Sequence, residues 1–422
     1  MFIFTLPCSF LFKRHRLAFS LGLTVLASSA LAQPAGQLPT LQQALDAAWQ
    51  ISSSSRAQSN RSMELSAKEK AASSWMSGEP VASIAHQTDL LTKNDGFRAY
   101  EAEIELPLWN RGVRTAAQAD VSAQQQVFNG QFALAKLKLA GELRALAAST
   151  ALAQVELDLL QRKLLDANAL AQDLGRRVKA GENARVDGLQ AQVLVQQAQA
   201  ASAHADSQLV RLQNQWRSLT GLATVAPLDE TLASHAINEA VAAPVSPEHP
   251  ALRYAQAQVR SAQAKLALAN ADQRDPMAIG VGLTRERVNS AEGNETKLRI
   301  ALRIPLGGDN RNAPRQAAAR GELDTAQAEA DAVLRQIPAE VAAATLELRT
   351  ARIALAAARE RVRLSTEIQT LFTKSWRLGD SDLPTRLRAD NEQFEASLSL
   401  ARATIDVQRA IAILNQAHGY MP

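Results

Sequence analysis

The sequence predicts a mostly α fold with a small β part, built from an internal duplication. Three observations carry this. Aromatic residues make up only 4% of the chain while Ala and Gln recur throughout. Turn signals recur at one fixed offset, and two apolar seams advance by alternating steps of four and three. A chain so poor in bulky side chains cannot fill several compact cores, so it reads as long helices packed through small residues.

The first residues belong to export rather than to the fold. Lys13, Arg14, His15 and Arg16 precede the largely apolar stretch Leu17 to Leu31, and Ala30-Leu31-Ala32 places small residues before Gln33. That order is a secretory signal peptide, so residues 1–32 are expected to be removed. The formal charge of +4 falls to +1 once Lys13, Arg14 and Arg16 are gone, so the basic balance says little about nucleic acid or acidic lipid. Cys8 leaves with the signal, and the mature chain then has no thiol for a disulfide, a metal or catalysis. No later stretch approaches 18 consecutive apolar residues, so no membrane helix is expected.

The repeat organises the rest. Glu105-Leu106-Pro107-Leu108 corresponds to Arg303-Ile304-Pro305-Leu306, and Lys179-Ala180-Gly181 to Arg377-Leu378-Gly379. Leu219-Thr220-Gly221 is echoed by Gln416 to Gly419, and Pro107/Pro305, Gly181/Gly379 and Gly221/Gly419 all differ by 198 positions. Residues 33–221 are expected to form the first structural repeat, 222–248 a Pro-rich connector with room for a short helix, and 249–422 the second repeat.

Each repeat reads as helix, two strands, long helix, turn, helix. The first unit has helices from about Thr40 to Ser74, with Thr40 as N-cap, then Gly112 to Val178 and Val186 to Leu219. The second has helices from about His249 to Asn270, Ala313 to Trp376 and Leu383 to His418. Leu139, Leu143, Leu146, Thr150, Ala153, Leu157, Leu160 and Leu164 form a seam. It returns 198 positions later as Ile337, Val341, Ala344, Leu348, Ala351, Leu355, Ala358 and Val362. That 3.5-residue spacing predicts left-handed coiled-coil packing, in helices about 100 Å long. A soluble coiled-coil rod fits these helices equally well.

The strands separate the two. In Arg98 to Leu106, Tyr100, Ala102, Ile104 and Leu106 alternate with Glu101, Glu103 and Glu105. Met277 to Leu283 and Lys297 to Ile304 alternate likewise, and Val81 to Thr88 does so less cleanly. Period-two patterning gives each strand a greasy and a polar face. Runs of this length, with polar tips at Leu90 to Gly96 and Val288 to Glu295, suit tilted outer-membrane strands. Ordinary hairpins on a soluble domain are the alternative. Four strands cannot close a barrel, and an open edge cannot sit in lipid, so copies must pool their strands; three would supply twelve.

On the duplicated helix–hairpin–helix order, the strand-ending Leu106-Pro107-Leu108 and Ile304-Pro305-Leu306, and the turns Arg177 to Gly181 and Trp376 to Leu383, the chain resembles the TolC-type outer-membrane factor family from about Leu41 to Gly419. His249-Pro250 and the run Asp275 to Gly282 are most similar to its heavy-metal (CzcC-type) cation-efflux branch, whereas Pro305-Leu306-Gly307-Gly308-Asp309-Asn310-Arg311 departs from that branch. The resemblance implies a homotrimer with a shared transmembrane β-barrel on a periplasmic α-barrel. It also implies docking to a periplasmic adaptor protein and an inner-membrane pump, in the outer membrane of a Gram-negative bacterium.

No enzyme is expected, and no cofactor. The mature histidines His86, His204, His235, His249 and His418 lack ligand spacing, so no metal site is expected; His249 and His418 are expected to serve helix ends. Gly181 and Gly379 are expected in the left-handed conformation, with Asp380, Ser381 and Asp382 available to cap the next helix. By resemblance these turns form the periplasmic tip, where the adaptor docks and the tunnel narrows. Arg177, Lys179, Gly181, Arg185, Asp187, Arg377, Gly379, Asp380, Asp382 and Arg386 are its candidate residues. Glu101, Glu103 and Glu105 are expected to face Lys297, Arg299 and Arg303 in the barrel lumen, as cross-strand ion pairs. The function expected is a passive exit duct, with metal cations as cargo. A drug-efflux or type I secretion duct of the same fold is one alternative, and a periplasmic coiled-coil adaptor or structural protein is another.

Overall fold

The computed structural model describes residues 38–92, 94–232 and 246–422. The expected signal peptide and much of the expected connector lie outside the described residues. The elements run α1 (Leu41–Ile51), α2 (Ser53–Ser73), β1 (Val81–Thr88), β2 (Arg98–Leu108), α3 (Val113–Lys179), α4 (Arg185–Thr220), α5 (Pro250–Ala271), β3 (Met277–Arg287), β4 (Glu295–Arg303), α6 (Asp309–Leu378) and α7 (Leu383–Ala417).

The duplication is visible in the backbone. Gly181 and Gly379 take φ of 79° and 85°, and Gly221 and Gly419 take 73° and 81°. Each pair sits 198 positions apart and ends equivalent helices, where a residue without a Cβ enters the left-handed region at least cost. His249 caps α5, its Nδ1 accepting from the Ala251 amide at 3.2 Å, and His418 is the C-cap of α7.

One expected helix is two. The stretch from Thr40 to Ser74 breaks at Ser52, whose ψ of 147° ends α1. Its hydroxyl accepts from the Ser55 amide at 3.1 Å, capping α2. Four successive serines, Ser52 to Ser55, offer the backbone hydroxyl partners that compete with continued helix. Thr40 caps α1 as expected, reciprocally with Gln43.

The seams are the core. Every residue of both expected seams is buried or half-buried. α1, α3 and α4 meet around the fully buried Trp216, where Leu45 and Leu143 pack. α5, α6 and α7 meet through Leu252, Ile337, Val341, Leu348 and Leu414. α3 (67 residues) and α6 (70 residues) are about 100 Å long at 1.5 Å per residue. Among the described residues no helix is long and apolar enough to cross a membrane.

The described part of the connector carries no helix through residue 232. It is packed rather than loose: Ala226 is buried against the α1 cluster, and Glu230 receives two bonds from Arg144 Nε on α3, at 2.9 and 3.1 Å.

Candidate functional site

The four strands form one antiparallel sheet in the order β1-β2-β3-β4. It is joined to the helices by side-chain-to-backbone clasps. Asn110 Nδ2 donates to the carbonyls of Arg274 and Asp275 at 2.9 and 3.0 Å, Asn312 donates to Gln273, and Trp109 donates to Ser74 at 2.9 Å. The register fixes two faces. One carries Ile84, Ile104, Leu106, Ile279, Val281, Leu283, Leu298, Ile300 and Leu302. Leu106 and Ile279, at the helix end, are half-buried, and the rest lie bare: Ile84 is 88% exposed, Ile300 74% and Leu298 67%. An apolar sheet face left bare by the chain's own packing demands a greasy cover.

The opposite face carries all six charged residues expected in a lumen, but not as direct cross-strand neighbours. β3 lies between the acidic and basic strands, so the register rows run Glu101-Thr284-Lys297, Glu103-Gly282-Arg299 and Glu105-Gly280-Ala301. Period-two alternation assigns a face and not a strand order, which is why the sequence placed the two sets opposite each other. Gly280 and Gly282 open a trough over which the flanking side chains lean, and a Cβ at Gly280 would meet the Glu103 carboxylate. Glu105 reaches Arg303 across it at 3.1 Å, while Lys297 pairs with Glu286 and Glu295 instead. Arg299 and Glu101 enter no ion pair among the described residues.

The two turns that carry the candidate tip residues lie together at the far ends of the long helices. Its centre, missed from the sequence, is Trp376: 8% exposed and packed with Leu170, Leu174, Ala191 and Leu383. The guanidinium of Arg177, from α3, lies 4.7 Å from the ring centroid, and that of Arg386, from α7, lies 4.2 Å away. Arg177 pairs with Asp173 at 3.0 Å, and Arg386 stands 3.6 Å from Asp390, which also accepts from Gln369 at 2.9 Å. Burial presses the pKa of Arg386 down, with Arg377 and Arg177 adding to the effect and Asp390 opposing it. The guanidinium nevertheless stays charged. A tryptophan between Lys374 and Arg377 at a helix end, in a chain so short of aromatics, was the available signal.

The other tip residues are peripheral to that centre. Asp382 alone of the three expected caps does the work, accepting from the Thr385 amide at 3.0 Å, and hydrogen bonds from the Thr385 hydroxyl and amide hold its carboxyl below the usual carboxylate range. Among the described residues the Ser381 hydroxyl is buried without a partner, and Asp380 is exposed, because the chain must turn through Gly379 before α7 starts. Asp187 accepts from Asn183 at 3.1 Å in the first turn of α4. Lys179, Arg185 and Arg377 point to solvent beside Gly181 and Gly379. Among the described residues no group of three His, Cys, Asp or Glu could hold a metal ion.

Residues 246–420 match the family described as outer membrane efflux protein. No curated protein matches the sequence significantly. Among solved structures, a membrane protein from Pseudomonas aeruginosa matches at TM-score 0.74 and 18% identity, over 90% of each chain. The outer membrane protein VceC from Vibrio cholerae matches at 0.71 and 14%, over 90% of this chain and 96% of that one. The CmeC outer membrane channel of Campylobacter jejuni matches at 0.74 and 11%, over 97% and 94%. At these identities the likeness is one of fold. The chain therefore has the fold of the TolC-like outer-membrane channels, and its residues 246–420 are similar to the outer membrane efflux protein family.

Proposed function

We propose that the chain is one protomer of a homotrimeric exit duct, set in the outer membrane of a Gram-negative bacterium and passing substrate outward for a tripartite efflux system. The observation that carries this is the bare apolar face of the sheet, joined at one end to helices long enough to reach deep into the periplasm. β1 and β4 are open edges that lipid cannot satisfy, so neighbouring copies must continue the sheet into a closed barrel. The helices carry a matching second stripe. Leu346, Ile353, Leu364 and Leu371 of α6 are 63%, 64%, 45% and 62% exposed, an apolar line that adjoining protomers would cover.

In this assembly the trough over Gly280 and Gly282 faces the lumen, with Glu101, Glu103, Glu105, Lys297, Arg299 and Arg303 lining it. The tip built on Trp376 is repeated around the axis, so that Arg177, Lys179, Arg185, Asp187, Arg377, Asp380, Asp382 and Arg386 form charged rings. A periplasmic adaptor docks there and an inner-membrane pump acts through it. The cargo we propose is heavy-metal cations, on the resemblance of His249-Pro250 and Asp275 to Gly282 to the CzcC-type branch. Deleting the gene tests this: metal sensitivity restored to normal by the intact gene supports the cation duct. Unchanged metal tolerance with new drug sensitivity rejects the cargo and leaves the duct standing.

A further inference from the structure

The apolar face of the sheet is not uniform along its length. Its rows, read across the strands, are Leu108-Met277, then Leu106-Ile279-Leu302, Ala82-Ile104-Val281-Ile300, and Ile84-Ala102-Leu283-Leu298. From Met277 to Leu283 this greasy band runs about 20 Å along the strand. At the loop end it stops abruptly. The next rows on the same face are His86-Tyr100-Arg285-Thr296 and Thr88-Arg98-Arg287.

Those two rows concentrate positive charge, and no carboxylate stands in either of them. Arg98 and Arg285 are exposed, and among the described residues no ion pair engages either. Arg287 keeps one hydrogen bond, from Nε to the Gly96 carbonyl at 3.2 Å, which braces it against the β1–β2 loop. The nearby carboxylates Glu286 and Glu295 alternate onto the other face, where both meet Lys297. His86 and Tyr100 stack at 4.4 Å between ring centroids, a flat amphipathic pair at the border of the band. The other end of the same face has no charged residue in its rows, so the cationic girdle marks one rim only.

We infer that this rim, Arg98, Arg285 and Arg287 above the stacked His86–Tyr100 pair, is a binding site for phosphate-bearing lipid headgroups of the leaflet at the loop end. Guanidinium groups match phosphate oxygens with paired N–H donors, and a headgroup is the anion that stands where acyl chains end. Aromatic rings at that depth sit at the boundary between hydrocarbon and headgroup. The site fixes the height of the protein in the bilayer and makes the outward leaflet the preferred one for anionic lipid. It rests on the membrane placement proposed above.

The test uses the full-length protein reconstituted in phosphatidylcholine vesicles doped with phosphatidic acid, with retained lipid counted by native mass spectrometry after detergent extraction. Vesicle flotation is measured in parallel. The wild type should float and retain phosphatidic acid several-fold over its share in the vesicle. The triple variant R98Q/R285Q/R287Q should float equally and lose that enrichment, and Arg299→Gln, which removes a charge from the opposite face, should keep it. If the triple variant does not insert, Arg285→Gln and Arg98→Gln singly should each lower the enrichment. Enrichment unchanged in the triple variant, or lost equally in Arg299→Gln, overturns the lipid site while leaving the membrane placement intact. A wild type that does not float overturns both.

Discussion

Arg303 Nη1 stands 3.1 Å from Glu105 Oε1 although their strands are not neighbours. β3 lies between them, and the two side chains meet over Ala278 and Gly280, spanning two inter-strand spacings of about 4.8 Å each. Small residues on the central strand are therefore what allows charges on its two neighbours to see each other.

Gly280→Val should break that arrangement. A branched side chain there meets the Glu103 carboxylate and fills the trough, an overpacking that costs about 1–3 kcal/mol. Gly280→Ala should cost less, since the flexible end of Glu103 can move aside. Thermal melts of the reconstituted protein, followed by the β signal in circular dichroism, should rank wild type, alanine, then valine. An unchanged valine variant would show the trough to be idle.

The Arg144–Glu230 pair ties the connector to both repeats. Arg144 Nη1 also donates to Gln416 at 2.6 Å, Gln416 donates to the Leu137 carbonyl at 2.8 Å, and Asn415 donates to Glu230 at 3.2 Å. The Arg144 and Glu230 side chains are only 4% and 10% exposed. Arg144→Met strands a buried carboxylate and should destabilise by about 3–5 kcal/mol, whereas changing both partners to apolar residues should cost less than the sum of the two single changes. Urea unfolding monitored at the helical band measures this.

Trp376→Ala removes the buried centre of the tip and leaves Arg177 and Arg386 without their shared ring. The cost should be about 3–5 kcal/mol, felt locally because the long helices are held along their length by other clusters. Hydrogen exchange should accelerate over the ends of α3 and α6 and the start of α7, and stay unchanged around Trp216. Acceleration throughout would mean that the tip is not an independent unit.

The α5 cap should be sensitive to acid. Burial holds the pKa of His249 and of His418 below the usual histidine value, so the folded state favours both rings neutral. The stability from the neutral rings is complete above the unfolded value of about 6.5 and is lost as pH falls from there through the lowered folded values. Protonation of His249 Nδ1 also removes the acceptor for the Ala251 amide. Stability should therefore drop between neutral and mildly acidic pH, and His249→Asn, a cap that does not titrate, should flatten that slope. An identical slope in the variant would assign the acid sensitivity elsewhere.

The helices, their caps and their seams were legible because each rests on local chemistry. The glycines ending α3, α4, α6 and α7, and the alternating steps of four and three, recur at one offset and reinforce each other. The break at Ser52 was hidden because α2 is polar nearly all round and offers no change of face to mark it. In the sheet, the faces could be read and the strand order could not. Glu101, Glu103 and Glu105 alternate visibly, yet only tertiary pairing places β3 beside β2 and removes Lys297 to the far strand. Trp376 escaped for the same reason: its partners Arg177 and Arg386 come from two other helices, α3 and α7.

In the proposed duct the bare apolar face of the sheet meets lipid and copies pool their strands. Fractionation of the expressing cells, followed by electrophoresis of the membrane fraction with and without boiling, tests it most directly. The chain should appear in the outer-membrane fraction and migrate as a trimer when unheated and as a monomer after boiling. A chain found soluble and monomeric in the periplasm would contradict it.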